Sequence, residues 1–559
     1  MFAIFKVADS PSGRSACPDA LKLATGVLLG TLTFVAGPAA WAQDGLSLRD
    51  ALRESLRSNP ATLLQRQQIF ASRGAVMQTE GQFDPVLNAT VSRSNALRPL
   101  RQDERTAISS GGIPDPIRTA LGMDPVVPTS IDRQNSNLVD YSTGVLAQLR
   151  NGMTLGASVG ITTSWDNLSQ NSGIPPQSSG RIGFTLRAPL LRNAGRNATT
   201  ANLDAAELEL SAARSDLVFT NAQTLLGVAL AYWEYLAAYR RLDIARDSEQ
   251  RSARLVEEVQ KLIAAQEMPA ADAQLVQASL NERMANRIAA EQAVAEGRRN
   301  LGAQIGLAAE RGYTLPAPAD DFPAFDGKSI LVDTPSRSVA LLGQALSRRA
   351  DLQAAQLRES AANRRVASAR SGLKPQVDLN FSVNYGSLVE SRTPFAIGPV
   401  MSTHSVGPSL SATLSAQLPW KNSAAGGVLL AQSAARDAST IRLRNLQDAI
   451  GINLQTSVQA LVRSAQQLAR ASEATRFYHQ SVESESTKRR MGMSTLIDVI
   501  NMQDRLTNAL LAEVQVRQSY ANAIARLRFE TGAIVTPVAD GFEIAIDDFF
   551  LPRFDVAAP

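Results

Sequence analysis

Hydrophobic positions recur with two different periods along this 559-residue chain, and the changes of period define its organisation. Apolar residues alternate with small or polar ones in several short runs, a pattern that predicts β-strands. Elsewhere they recur three and four residues apart, which predicts helices. The predicted strands are residues 87–92, 145–149, 153–162, 182–188, 377–385 and 409–418. The longest helical patterns are residues 197–262, 426–489 and 494–532.

The chain is an internal duplication, because two segments recur at fixed offsets. A shift of 226 residues places Asp272 on Asp498 and Gly306 on Gly532, and a shift of 290 places Pro85 on Pro375. The helical parts of the two repeats have nearly equal lengths. The strand-bearing part, in contrast, spans 104 residues in the first repeat and 44 in the second. The first repeat therefore carries extra strands, which meet at the hairpin signal Asn151-Gly152.

The connecting segments have their own signals. Residues 95–137 and 164–180 are polar, lack a period and are predicted to be exposed loops. Residues 46–81 form a helical pattern in which Pro60 marks a kink or a restart. The predicted domains are residues 1–42, 43–306, 307–337, 338–532 and 533–559, in the order signal peptide, first repeat, inter-repeat segment, second repeat and C-terminal segment.

Each predicted strand is apolar on one face and small or polar on the other. In a soluble sandwich the apolar face would pack on a second sheet. In an outer-membrane barrel it would contact lipid, and the polar face would line water. One chain has too few strands to close a water-filled pore. The barrel alternative therefore requires several copies to share one barrel.

The first residues predict export. A basic segment precedes an apolar run at residues 23–36, and Ala40-Trp41-Ala42 is a cleavage signal, so cleavage is predicted between Ala42 and Gln43. The alternative is an uncleaved anchor helix. The single cysteine, Cys17, would be removed with the signal peptide, which leaves no disulfide or cysteine metal site. The net charge of +4 is interspersed and does not predict nucleic-acid binding.

Residues 488–532 contain the clearest local signals. The turn Met491-Gly492-Met493-Ser494 opens a helix that Ser494 or Thr495 can cap. Asp498 lies in the first turn, where the helix dipole favours an anion. The basic run 488–490 either pairs with carboxylates of the turn or is a solvated face.

The sequence resembles the TolC-like outer-membrane efflux proteins over almost the whole mature chain. The segments that carry the resemblance are ALSRRADLQAAQLRESAANRRVASARSGLKPQVDL at 345–379, RRMGMSTLIDVINMQDRLTNAL at 489–510 and PLLRNAG at 189–195. The resemblance implies an α+β membrane protein, internally duplicated, in which a homotrimer shares an outer-membrane β-barrel that continues into a long periplasmic α-helical barrel. Each copy would give four strands to a twelve-stranded barrel, so we expect the surplus strands to lie outside it.

The resemblance also implies function and partners. The protein would be the exit duct of a tripartite efflux or type I secretion system in a Gram-negative bacterium, passing solutes or drugs to the outside. Its partners would be outer-membrane lipid, a periplasmic adaptor and an inner-membrane RND, ABC or MFS transporter. The sequence contains no catalytic constellation, phosphate-binding loop or metal-ligand spacing, so no enzyme and no cofactor are predicted. The alternative is a non-channel periplasmic coiled-coil structural or adaptor protein.

Site residues follow from the same resemblance. The residues that would narrow the periplasmic entrance are Asp498, Asn501 at the position of a second acidic residue, and Asp272 in the first repeat. The tip turns that an adaptor would contact contain Gly492, Met493, Ser494, Gln266 and Pro269. Here Gln266 replaces the turn glycine and Pro269 is added. For Asp498, a role in the helix cap is the alternative to a role in gating.

Overall fold

A computed structural model describes residues 45–109, 113, 115–124, 131–325, 335–390, 405–538, 541–544 and 549–550. The chain divides into two units, 1–44 and 45–559, and all described residues lie in the second. The predicted signal peptide, its cleavage site at Ala42 and Gln43, and Cys17 lie outside the described residues. So do parts of the predicted segments 307–337 and 533–559.

Six strands form one antiparallel sheet in which each strand pairs with the next along the chain. A separate two-stranded sheet, β7–β8, follows near the C-terminus. The strands are β1 (Val86–Pro99), β2 (Arg133–Gln148), β3 (Thr154–Asp166), β4 (Gln177–Pro189), β5 (Gln376–Glu390), β6 (Ser405–Gln417), β7 (Val535–Val538) and β8 (Gly541–Ile544).

The strands are longer than their alternating runs. Residues 95–99 and 133–137 were predicted to be loop but are paired in the β1–β2 ladder, from Asn95 opposite Asn137 to Pro99 opposite Arg133. Residues 164–166 and 177–180 likewise belong to β3 and β4. Strand pairing needs only backbone groups, whereas alternation requires that one face be apolar. The period therefore disappears where both faces are polar although the ladder continues.

The surplus strands, which we expect to lie outside the barrel, belong to the same sheet as the other strands of the chain. β2 and β3 lie between β1 and β4, and every strand of the first repeat is part of the same sheet as the two strands of the second. The predicted hairpin at Asn151-Gly152 is the short connection between β2 and β3, with the Leu149 amide donating to the Met153 carbonyl at 2.7 Å.

Helices account for most of the remaining described residues. Of the kink and the restart that Pro60 predicts, the structure shows the restart, because the first helix ends before Asn59, whose side chain caps the second. The helices are α1 (Leu48–Ser58), α2 (Pro60–Glu80), α3 (Gln102–Ser109), α4 (Asp115–Ala120), α5 (Asn167–Asn171), α6 (Arg196–Thr199), α7 (Ala201–Ala264), α8 (Ala271–Ile305), α9 (Ala309–Gly312), α10 (Pro335–Arg348), α11 (Ala350–Gly372), α12 (Ser423–Arg490) and α13 (Leu496–Glu530).

Two long helical hairpins, α7–α8 and α12–α13, extend from the strands. α7 has 64 residues and α12 has 68, which correspond to roughly 100 Å of helix each at 1.5 Å per residue. Helices α2, α7, α11 and α12 adjoin strands β1, β4, β5 and β6 respectively, and they pack side by side in that order. None of the helices among the described residues combines the length and the apolar character needed to cross a bilayer.

The duplication predicted from the sequence is also seen in the packing. Gly306 ends α8 with φ +89°, and a Cβ added there would lie 2.6 Å from the carbonyl oxygen of Ser58, at the break between α1 and α2. Gly532 follows α13 with φ +68° and abuts Arg348 and Arg349, at the break between α10 and α11. Each long hairpin thus returns to the break between the two N-terminal helices of its own repeat.

An aromatic core surrounds the middle of α7. Tyr232, Trp233 and Tyr235 are fully buried. The Tyr232 hydroxyl donates to the Leu46 carbonyl at 2.9 Å, and the Tyr235 hydroxyl donates to the Pro316 carbonyl at 3.1 Å. These bonds attach the segments on either side of the first repeat to its longest helix.

Candidate gate and docking site at the helical tips

The two helical hairpins turn with the same backbone geometry. At the second turn, the Gly492 amide donates to the Arg489 carbonyl and the Met493 amide to the Lys488 carbonyl, both at 2.9 Å. At the first turn, the Gln266 amide donates to the Ile263 carbonyl and the Glu267 amide to the Leu262 carbonyl, also at 2.9 Å. This pair of bonds is the Schellman motif, whose C′ residue is left-handed.

Glycine occupies the left-handed position in only one of the two turns. Gly492 has φ +75° and Gln266 has φ +61°. A side chain at this φ is disfavoured by contact between Cβ and the backbone. Gln266 therefore adopts the conformation that the aligned glycine adopts, and the replacement alters the strain in the turn while its hydrogen bonds are kept.

We expect Gln266→Gly to raise the free energy of unfolding by about 0.5–1 kcal/mol, because the strain at the left-handed position is removed. The reciprocal change Gly492→Gln should lower it by about 1 kcal/mol, since open space surrounds that position and only φ matters. The midpoint of chemical unfolding, followed by circular dichroism, measures both. Equal effects of the same sign would contradict this account.

The helices that follow the two turns, α8 and α13, begin differently. Thr495 caps α13 by accepting from the Asp498 amide at 3.2 Å, and Oδ2 of Asp498 accepts from the Thr495 amide at 3.1 Å. This reciprocal arrangement is a capping box. The 226-residue shift places Pro269 on Thr495, and proline has no side-chain oxygen. α8 consequently begins without a side-chain cap, and Asp272 is half-buried in its first turn.

The Asp498 carboxylate remains ionised over the physiological range. Hydrogen bonds from the hydroxyl and amide of Thr495 lower its pKa below the ordinary value. Because the folded-state pKa is depressed, the stabilisation from this carboxylate is present above the unfolded-state pKa and is lost as pH falls through the folded-state value. Asp498 and Asn501 are both exposed in the protomer.

The basic run has mixed partners. Arg489 forms an ion pair with Glu258 of α7, and the side chain of Arg489 is only 13% exposed. Lys488 pairs with Glu485 on its own helix at 3.1 Å, and Arg490 donates to the Thr487 hydroxyl of the same helix at 3.4 Å. Arg489 thus links the two hairpins, whereas the bonds given above for Lys488 and Arg490 are to residues of their own helix.

Apolar and charged contacts join the hairpins near their tips. Leu496 of α13 packs with Val256 and Val259 of α7 and with Val276 of α8. Farther from the tips, Arg283 of α8 pairs with Asp504 of α13. The pairings of Glu258 and Asp504 were not predicted, because they depend on how two helices align across an interface. Of the predicted docking residues, Gly492 and Met493 are exposed, and Ser494 is half-buried against Glu485.

Known proteins share this architecture. The family model described as outer membrane efflux protein matches residues 341–533. No curated protein matches the chain. The outer-membrane channel OprN is 16% identical with a TM-score of 0.60, over 87% of this chain and 90% of that one.

Two further structures resemble the protomer similarly. The outer membrane protein VceC from Vibrio cholerae is 15% identical with a TM-score of 0.59, over 87% of this chain and 96% of that one. The CmeC outer membrane channel of Campylobacter jejuni is 13% identical with a TM-score of 0.59, over 87% of this chain and 85% of that one. At these identities the structural matches establish the fold, and the family model shows a sequence similarity confined to residues 341–533. The family model described as outer membrane efflux protein thus matches the second repeat, and the fold that the chain shares with these channel structures extends over both repeats.

Proposed function

We propose that the protein is the outer-membrane exit duct of a tripartite export system, built from three copies that share one β-barrel and one periplasmic helical barrel. A periplasmic adaptor contacts the tip turns, and an inner-membrane RND, ABC or MFS transporter delivers solutes or drugs to the helical barrel. The matched family supports this function, since its members are outer membrane efflux proteins.

The observation that carries the proposal is the sheet with two different faces. Its apolar face suits lipid and its polar face suits a water-filled lumen. Four of the six strands adjoin helices, and these helices leave the sheet at the same end of the strands. A lipid-embedded barrel and a helical conduit would then be continuous. An adaptor would instead have one helical hairpin, whereas this chain has two.

The tips are proposed as both gate and docking site. In the trimer, Asp272, Asp498 and Asn501 narrow the periplasmic entrance, and the turns containing Gln266, Pro269, Gly492, Met493 and Ser494 contact the adaptor. The pair between Arg489 and Glu258 supports a gate, because it joins two hairpins that would separate on opening. Glu258 is half-exposed, so the pair contributes at most about 1 kcal/mol.

Single-channel recording in planar bilayers tests the proposal. Purified wild-type trimer should show discrete openings, and a ring of carboxylates at the entrance should make them sensitive to divalent cations. Asp498→Asn removes the charge but keeps an oxygen for the cap, so block by divalent cations should weaken about tenfold. Thr495→Ala is the matched control, since it removes the cap hydroxyl and keeps the carboxylate.

If the channel is closed at rest, removal of the ion pair between the two hairpins should open it more often. Arg489→Ala should raise the ratio of open to closed channels by up to about fivefold, whereas Arg490→Ala should leave it unchanged. Equal cation block in wild type and Asp498→Asn would reduce Asp498 to a helix-cap residue. Folded trimer that conducts in none of these variants would contradict the channel itself.

A further inference from the structure

The β2–β3 hairpin has no counterpart in the second repeat. To this sheet the second repeat contributes β5 and β6, and each adjoins a helix. In the first repeat, β1 and β4 adjoin helices in the same way, but β2 and β3 adjoin none at their shared turn. The location of this hairpin in the assembled protein therefore does not follow from the duplication.

Its pairing is continuous on both sides. β2 pairs with β1 from Val86 opposite Leu146 to Pro99 opposite Arg133. β3 pairs with β4 from Thr154 opposite Arg187 to Ser164 opposite Gln177. Neither ladder contains a register shift; the one in this sheet lies between β5 and β6, at Gly386 and Ser387. The hairpin is therefore joined to its neighbours along the full lengths of these ladders.

The hairpin also has the same two faces as its neighbours. Because directly opposed residues lie on the same face, rows of side chains can be followed across the sheet. One row crosses all six strands and is apolar throughout: Leu87, Val145, Ala157, Phe184, Val383 and Leu410. The adjacent row on the opposite face contains only small and polar residues: Asn88, Gly144, Ser158, Gly183, Asn384 and Ser409. A hairpin outside a barrel wall would not need apolar and polar faces aligned with those of the wall.

The turn of the hairpin is fixed at the end of the sheet from which the helices leave. The Gly195 amide, at the junction of β4 with the helices, donates to the Asn151 carbonyl at 3.1 Å. Arg150 pairs with Glu80 at the end of α2, at 3.1 Å. Gly152 has φ +94°, and a Cβ there would lie 2.4 Å from the Asn193 carbonyl oxygen. The turn is short and close-packed, as turns on the periplasmic side of a barrel are.

The edge strands of the sheet, β1 and β6, each have one side that is not paired within this sheet. All of β1 is exposed, and so are Leu410 and Leu414 of β6, at 66% and 64%. A long, exposed, partly apolar edge strand is a template for pairing with another chain. β1 leads away from a helix and β6 leads towards one, so β1 of one copy and β6 of the next can pair antiparallel.

We propose that three copies of this chain close one eighteen-stranded barrel, in which the β2–β3 hairpin is part of the wall and the edge strand β6 of each copy pairs with β1 of the next. The proposal rests on the trimeric duct proposed above and takes six strands from each copy. The twelve-stranded barrel implied by the family resemblance would leave the hairpin out.

The perimeters of the two rings favour the wider barrel. Strands about 4.8 Å apart and tilted by about 40° each occupy roughly 6 Å of perimeter. Eighteen strands then give roughly 110 Å, and twelve give roughly 75 Å. Four helices per copy adjoin the strands. Twelve such helices at spacings of about 8–10 Å occupy roughly 100–120 Å. An eighteen-stranded barrel thus matches the helical ring and is about half as wide again as a twelve-stranded one.

Cysteine labelling in intact outer membranes tests the hairpin directly. The Cys17→Ser background contains no other cysteine. Ser158→Cys and Ala157→Cys are compared on β3, and Asn384→Cys and Val383→Cys serve as matched controls in the same two rows on β5. If the hairpin is in the wall, a water-soluble maleimide should label Ser158→Cys about tenfold faster than Ala157→Cys, because only the thiol that faces water ionises.

The controls separate this proposal from the function on which it rests. Alternation of labelling on both β3 and β5 supports it. Alternation on β5 with equal labelling on β3 overturns the eighteen-stranded wall and leaves the channel intact. Equal labelling on both strands overturns the barrel and the wall together. A cryo-electron microscopy map of the trimer in nanodiscs provides a second measurement, in which twelve strands would overturn the proposal even if one variant failed to fold.

Discussion

Replacement of Arg349 by alanine is expected to lower the free energy of unfolding by about 3–5 kcal/mol, because it leaves two largely buried carboxylates without their partner. The Arg349 guanidinium contacts Asp351 at 2.7 Å and also pairs with Glu530. The arginine side chain is 7% exposed, and the two carboxylates are 13% and 14% exposed. Arg349 lies at the break between α10 and α11, and Glu530 ends α13, so the cluster joins both ends of the second repeat.

The guanidinium group of Arg349 also lies over two aromatic rings. The guanidinium carbon lies 5.8 Å from the centre of the Phe219 ring and 5.4 Å from that of Phe529. Burial raises the pKa of Glu530 above its ordinary value, against the opposing effect of Arg349. Without the arginine, burial and the negative charge of Asp351 would both favour the protonated form of Glu530. The loss of stability in Arg349→Ala should therefore be smaller at low pH than at neutral pH.

Guanidinium unfolding of the detergent-solubilised protein, at pH 7 and at pH 5, measures this effect. Arg364→Ala on α11 is the matched control, since that side chain is exposed, and it should change stability by less than about 0.5 kcal/mol. A loss in Arg349→Ala as small as that of the control would show that the cluster does not stabilise the repeat.

The second large effect is expected at Trp233. Trp233→Ala should lower the free energy of unfolding by about 3–5 kcal/mol, because it empties a large, fully buried site. The indole stacks edge-on against Tyr232 at 5.3 Å and against Phe550 at 5.5 Å, and lies 5.9 Å from Phe322. Tyr232 is the neighbouring residue of α7, whereas Phe322 and Phe550 come from segments that follow the first and the second repeat, so the cavity would loosen the packing of both segments on α7.

Two further variants serve as controls for the Trp233→Ala measurement. Trp233→Phe should recover more than half of the lost stability, since it restores most of the buried apolar surface. Tyr313→Ala, at an exposed aromatic residue in the same region, should cost less than about 1 kcal/mol. The same unfolding assay applies. A cost for Tyr313→Ala equal to that for Trp233→Ala would contradict a role for burial.

The periodic parts of this fold were predictable from the sequence, and the contacts between them were not. Alternation located all six strands of the main sheet, and three- and four-residue spacing located α7, α12 and α13. Both are local patterns that the backbone geometry imposes. The ends of β1 and β2 were missed because pairing continues after the apolar face ends.

At the candidate site, too, the local features were predictable from the sequence and the contacts between helices were not. The sequence predicted the turn at Gly492 and a cap at Ser494 or Thr495, since both depend on a few neighbouring residues. It did not predict that Gln266 adopts the left-handed conformation, because no local signal distinguishes a strained glutamine. The pair between Arg489 and Glu258 joins residues more than 200 positions apart, and only the packing of α7 against α12 and α13 brings them together. The gating and docking roles of these residues stay predictions.

The β2–β3 turn has a further consequence for how such a protein can change. One added strand would reverse the direction of every strand after it and would place α7 on the opposite side of the membrane. Two added strands restore the original direction, and here the chain comes back to Asn151 beside the junction from which α7 continues. If the hairpin is part of the barrel wall, the circumference of the barrel can grow by inserted pairs of strands while the helices and their tips remain as they were. In the proposed duct, the width of the pore and the recognition of partners at the tips would then be able to change independently of each other.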